Sequence, residues 1–100
     1  MKTQVQGETL QISDVTELGA ANSNTFLREA RAALTPQQKN IDVDLSQTTF
    51  LDSCGLGTLV ALYKTACSRN GSIRLVNPTP TAQQLLELTR MHRIFQIVRN

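Results

Sequence analysis

Between Ile41 and Leu75 the chain carries a pattern that few architectures accommodate. Ile41, Val43 and Leu45 alternate with Asp42 and Asp44, the period-two signature of a strand with one apolar and one polar face. Leu56, Leu59, Val60, Leu62, Tyr63, Ala66 and Cys67 then recur at helical spacing as a broad apolar stripe. Lys64, Ser68 and Arg69 fall largely outside it, and Asn70-Gly71 supplies the stop. Ile73-Arg74-Leu75 repeats the strand pattern. Strand, helix and strand in succession form a βαβ unit, whose crossover is almost always right-handed. Ligands and partners of such units meet the carboxyl ends of the strands. The stretch Asp52-Ser53-Cys54-Gly55-Leu56-Gly57 lies at that edge.

The flanking segments extend the unit. Leu10-Gln11-Ile12 alternates, and Val5 belongs to a preceding strand joined through Gly7-Glu8, which reads as a hairpin. Phe26, Leu27, Ala30, Ala33 and Leu34 mark a helix, with Asn22, Ser23 and Asn24 all able to cap it. Pro36 ends that helix at Thr35. Thr79 and Pro80 suit the cap and first position of a further helix, whose buried face is read as Ala82, Leu85, Leu86 and Thr89. Ile94 to Val98 closes the chain as a short strand. A strand covered on both faces reads as continuously apolar. Here the strands keep a polar side, so the expected fold is α/β. It has a four- or five-stranded mixed sheet with helices packed mainly on one face.

One hundred residues suit a single domain spanning 1–100. Hydrophobic residues make up 40% and charged residues 18%, the composition of a globular chain with a core. A net charge of +2 does not imply nucleic acid or a membrane surface. No apolar run approaches the roughly 18 residues of a spanning segment, and the first eight residues lack a signal-peptide core. A cytoplasmic location is expected, without membrane insertion. On one helix, Cys54 and Cys67 would stand about 20 Å apart, which excludes a disulfide between them.

Chemistry concentrates at the start of the second helix. A helix N-terminus presents unpaired N–H groups and partial positive charge, which favour anions. Ser53 reads first as the N-cap, a position serine favours. Its functional reading is an exposed, modifiable hydroxyl on a contact edge. A phosphate there would add about −1.5 to −2 charges, opposed by Asp52. Gly55 and Gly57 each cost roughly 1 kcal/mol inside a helix relative to alanine, so close approach by a backbone or partner is expected there. Cys54 is a candidate thiol nucleophile, but catalysis needs a base and the sole histidine is His92. Neither metal-ligand spacing nor a phosphate loop nor a dinucleotide fingerprint is present, so no catalytic residues, metal or cofactor are assigned. Four aromatic residues make a base-stacking platform a poor reading. Arg90, Arg93 and Arg99 read as a solvated basic end.

The run from Asp44 through Phe50 to Asp52-Ser53-Cys54-Gly55-Leu56-Gly57 resembles the signature of STAS domains. More narrowly it resembles bacterial anti-sigma factor antagonists, in which Asp-Ser-Ser-Gly-Leu-Gly opens a helix. The likeness continues through Tyr63-Lys64, the strand from Gly71 to Leu75, and Leu85 to Leu88 before Ile94-Phe95. It implies that Ser53 is phosphorylated by an anti-sigma factor that is itself a serine kinase. The unphosphorylated form then binds that partner, the phosphorylated form lets go, and a serine phosphatase resets it.

Two positions depart from the pattern. Cys54 replaces the second motif serine, and Glu17-Leu18-Gly19 stands where relatives read Glu-Leu-Asp. The expected contact edge is Asp52, Ser53, Cys54, Gly55, Leu56 and Gly57. The alternatives are a non-switching scaffold subunit of a lipid-transport or stress-signalling complex, and a thiol enzyme using Cys54. A sheet edge able to pair with itself leaves the oligomeric state open.

Overall fold

The structure, a computed structural model, describes residues 1–100. Its centre is the expected βαβ unit: β4 (Asn40–Asp44), α2 (Ser53–Ser68) and β6 (Ile73–Val76). Before it come β1 (Lys2–Gln6), β2 (Thr9–Ser13), β3 (Glu17–Leu18) and α1 (Ser23–Ala33). The two-residue strand β5 (Phe50–Leu51) precedes α2, and α3 (Pro80–Leu88) and β7 (Gln96–Val98) follow β6. Five strands form one mixed sheet in the order β1-β2-β4-β6-β7, with β1 antiparallel to β2 and every other neighbour parallel.

Alternation decides the faces. Leu10, Ile12, Ile41, Val43, Ile73 and Leu75 are buried against Phe26 and Ala30 of α1, Leu56, Leu59, Leu62 and Ala66 of α2, and Ala82 and Leu86 of α3. The opposite face stays polar, with one ion pair at its centre. Asp42 and Arg74 are cross-strand neighbours. The Arg74 guanidinium donates from Nε to Oδ1 at 2.9 Å and from Nη2 to Oδ2 at 2.6 Å. This two-pronged geometry suits a planar fork meeting a carboxylate, and it holds the arginine above its ordinary pKa.

The carboxyl ends of the strands are stitched together by threonines. Thr48 Oγ1 donates to the Val15 carbonyl at 2.5 Å. Thr79 Oγ1 donates to the Thr48 carbonyl at 2.5 Å and also accepts from Ala82 N at 3.3 Å as the cap of α3. Pro80 occupies the first turn, as its missing N–H allows.

Four details differ from the sequence reading. The last strand begins at Gln96, because Met91–Arg93 first form a 3-10 turn that drops Phe95 into the core. Its ring meets Tyr63 edge-on, with centroids 5.9 Å apart. Cys67 is exposed instead of part of the buried stripe, since the stripe turns away from the core in the last turn of α2. There it contacts the Tyr63 phenol and pushes that group above its ordinary pKa. Thr89 is also exposed, its hydroxyl satisfied by the Leu85 carbonyl at 2.8 Å. Finally, β3 and β5 form a separate two-stranded parallel sheet that period-two alternation cannot reveal at that length.

Leu75 is fully buried on β6 between two parallel neighbours. Leu75→Ala should lower unfolding stability by about 2–5 kcal/mol, seen as a lower urea midpoint at unchanged slope.

Candidate functional site

The small β3–β5 sheet sets the entry of α2. Glu17 pairs with Phe50, and Leu18 with Leu51. Leu18 and Leu51 point into the core, whereas Glu17 and Phe50 face out, and Phe50 is 51% exposed. The first turn of α2 then passes so close to β3 that a Cβ at Gly55 would collide with the Leu18 carbonyl. Gly55 is therefore required by packing. Gly57 is different: it is exposed, and a Cβ there would meet nothing within 4 Å.

The cap is Asp52, not Ser53. Asp52 has extended backbone, and its Oδ1 accepts from Gly55 N at 3.0 Å. Its Oδ2 accepts from Ala20 N at 3.1 Å, tying the loop after β3 to the start of α2. The Gly55 and Ala20 N–H groups hold this carboxyl below its ordinary value of 3.8. Both residues suit a cap, but aspartate fills the role one position earlier. Ser53 begins the helix with its side chain exposed, free of the capping role that base rates assign it.

Asn22 braces the loop from the other side. It was a candidate cap for α1, yet its side chain makes no cap bond there. Instead Oδ1 accepts from Gly19 N at 2.9 Å and Nδ2 donates to the Glu17 carbonyl at 2.9 Å. Gly19 lies under the Phe50 ring: a Cβ there would stand 2.6 Å from Phe50 Cε2 and 2.7 Å from Asp52 Oδ2. Any side chain at position 19 has to displace the ring or the carboxylate.

The expected contact edge thus divides by depth. Ser53, Cys54 and Gly57 are exposed and Asp52 is half-buried. Gly55 and Leu56 are buried, so they support the edge from beneath and offer little surface to a partner. Phe50, part of the motif run, is the residue that the expected contact edge omitted. Its place in a strand of two residues gave no sign of which way the ring would point. His92 sits after α3 with Nδ1 3.3 Å from the Leu86 carbonyl. Of the basic end, Arg99 is committed to the Pro78 carbonyl and to Gln83, while Arg90 and Arg93 are exposed. No helix is long and apolar enough to cross a membrane.

This five-stranded mixed sheet with its crossover helices on one face has relatives. A family profile described as MlaB, STAS domain, matches residues 1–99. The chain belongs to the STAS domain family. A STAS-domain containing protein of Pseudomonas aeruginosa is 34% identical over 89 residues, covering 89% of this chain and 85% of its own length. The anti-sigma-B factor antagonist of Bacillus subtilis is 30% identical over 75 residues, covering 75% and 69% of the two chains. The fold is shared with the anti-sigma factor antagonist SpoIIAA of Bacillus in its unphosphorylated form, at a TM-score of 0.81 and 17% identity. That match covers 99% of this chain and 86% of SpoIIAA. The phosphorylated form matches at 0.73 and 17%, covering 99% and 89%. Within this STAS domain, the aspartate-capped turn and Phe50 give the motif its local shape.

Two outcomes follow from the geometry. Gly55→Ala should cost about 1–3 kcal/mol through collision with the Leu18 carbonyl, whereas Gly57→Ala should stabilise α2 by up to about 1 kcal/mol; thermal melts of both variants check the contrast. Because the Asp52 pKa is depressed on folding, its contribution is present above 3.8 and is lost as pH falls through the lowered value. The stability gap between wild type and Asp52→Asn should accordingly shrink on acidification below that point, measured by melts across pH.

Proposed function

We propose that this STAS domain is an anti-sigma factor antagonist that works by partner switching, with residues 1–100 acting as one unit in the cytoplasm. In its unmodified form it binds an anti-sigma factor that is also a serine kinase, and so frees the sigma factor. Phosphorylation of Ser53 by that partner releases it, and a serine phosphatase restores binding. The observation that carries this reading is the division of labour between neighbours: Asp52 caps α2, leaving the Ser53 side chain exposed. The relationship to the Bacillus subtilis anti-sigma-B factor antagonist supports the partner class. SpoIIAA, which shares the fold, exists in phosphorylated and unphosphorylated forms.

Charge accounts for the direction of the switch. A phosphate on Ser53 would stand beside the Asp52 carboxylate, which takes the Gly55 N–H of the first turn and which the Gly55 and Ala20 N–H groups keep ionised. The helix N-terminus tolerates such a group locally, while the fixed Asp52 charge opposes it, so about two added negative charges change the surface a partner meets. A partner docked over Ser53 would then have to accommodate a bulky dianion.

A second reading has one observation in its favour. The carboxylate that the family pattern implies at position 19 is missing, and Phe50 and Asp52 fill the space it would need. On this reading the domain is a scaffold subunit that uses the same edge without phosphorylation, in a lipid-transport or stress-signalling complex.

Binding assays with Ser53 variants test the first reading. Ser53→Ala should hold a kinase-type anti-sigma factor constitutively, and Ser53→Asp should bind it poorly. Equal binding by both would overturn the switch. Intact-mass measurement of protein from its native cell, before and after phosphatase treatment, separates the scaffold: it predicts no phosphate mass shift in any growth condition.

A further inference from the structure

The sheet ends on one side at β1, which α1 approaches without burying any of its residues. All five residues from Lys2 to Gln6 are exposed, and the strand is the outermost of the main sheet. The register with β2 fixes its two faces. Lys2, Gln4 and Gln6 pair with Ser13, Gln11 and Thr9, while Thr3 and Val5 pair with Ile12 and Leu10. Leu10 and Ile12 are buried beneath the helices. Val5, on the same side one strand further out, is 49% exposed, so the helical layer stops short of the edge.

An edge strand offers a row of unpaired backbone N–H and C=O groups. Natural edges are blunted by charged side chains, lysine above all, and by proline, bulges, inward charges or short length. Here the pairing with β2 runs unbroken over five residues, with no proline and no bulge, and Lys2 is the sole charge. The opposite edge, β7, is only three residues long and partly covered.

We propose that two copies of the chain pair antiparallel through β1 to form a continuous ten-stranded sheet, doubling the five of one copy. A two-fold axis normal to the sheet keeps the polar face continuous with the polar face and the helical side with the helical side. Centred on Gln4, it uses the whole strand. Lys2 then opposes Gln6 of the second copy, Thr3 opposes Val5, and Gln4 opposes itself. No like charges meet, which answers the usual objection to self-pairing. Thr3 and Val5 bring the uncovered apolar surface of the two copies together. On the polar side the Gln4 amides meet beside the existing bond from Gln11 Nε2 to Gln6 Oε1, at 2.9 Å. The pairing shares no residue with the Ser53 edge and stands or falls apart from the proposed function.

Sedimentation velocity of the full chain from micromolar to millimolar concentration tests it. Wild type should show a concentration-dependent monomer–dimer equilibrium. Because Gln4 lies on the axis, Gln4→Lys and Gln4→Glu should each weaken the dimer about tenfold or more by placing like charges in opposition. Mixing the two variants should restore a dimer, a rescue that an unfolded variant cannot give. Gln96→Lys on β7 should leave the equilibrium at its wild-type value. A strictly monomeric wild type, undiminished pairing of both Gln4 variants, or failure of the mixture to rescue would each overturn the proposal.

Discussion

The contact between the first turn of α2 and the carbonyl of Leu18 governs the rest of the structure. It brings a helix backbone against a strand backbone at a distance only glycine permits. From that one approach follow the seat of β3 beside β5, the direction in which α2 leaves the sheet, and the burial of Leu56. Asp52 completes the joint. Its two oxygens serve donors from two different segments, Gly55 in the helix and Ala20 in the loop after β3. One carboxylate thereby satisfies an orphan helix donor and fixes a loop, and the neighbouring serine is free for other work.

The same joint explains which parts of the molecule were legible in the sequence. The βαβ unit, the hairpin and the third helix were readable because each has enough residues to display a period or carries an unambiguous cap such as Thr79-Pro80. The one-sided packing was readable from Asp42 and Arg74, whose polarity marked the uncovered face before their pairing was known. What remained hidden had local causes. Asp52 and Ser53 are both good caps, and only the backbone geometry chooses between them. Strands of two residues have no alternation, so β3, β5 and the outward Phe50 could not be placed. Cys67 continues the apolar stripe but lies where α2 runs past the edge of the core.

Phe50 and Gly19 are best understood together. The glycine leaves room for the aromatic ring and for Asp52, so the chemistry of one position is written at two others. Family resemblance flags position 19 as a departure, and the structure gives that departure a physical content. Without a side chain at position 19, the Phe50 ring lies directly against the backbone there and stays half-exposed. Exposed aromatic side chains held in place are the residues that commonly dominate protein contacts.

The threonine stitches at the carboxyl ends of the strands bear on how such an edge would be met. Val15, Thr48 and Thr79 belong to three separate connections, yet side-chain bonds join them in series. Loops that would otherwise fluctuate independently are thus cross-braced, and the capped turn at Asp52 adds a further tie. An incoming molecule would encounter a surface whose shape is already set. Little conformational freedom is left there to be lost on association, so even a modest contact area can support a tight and selective complex.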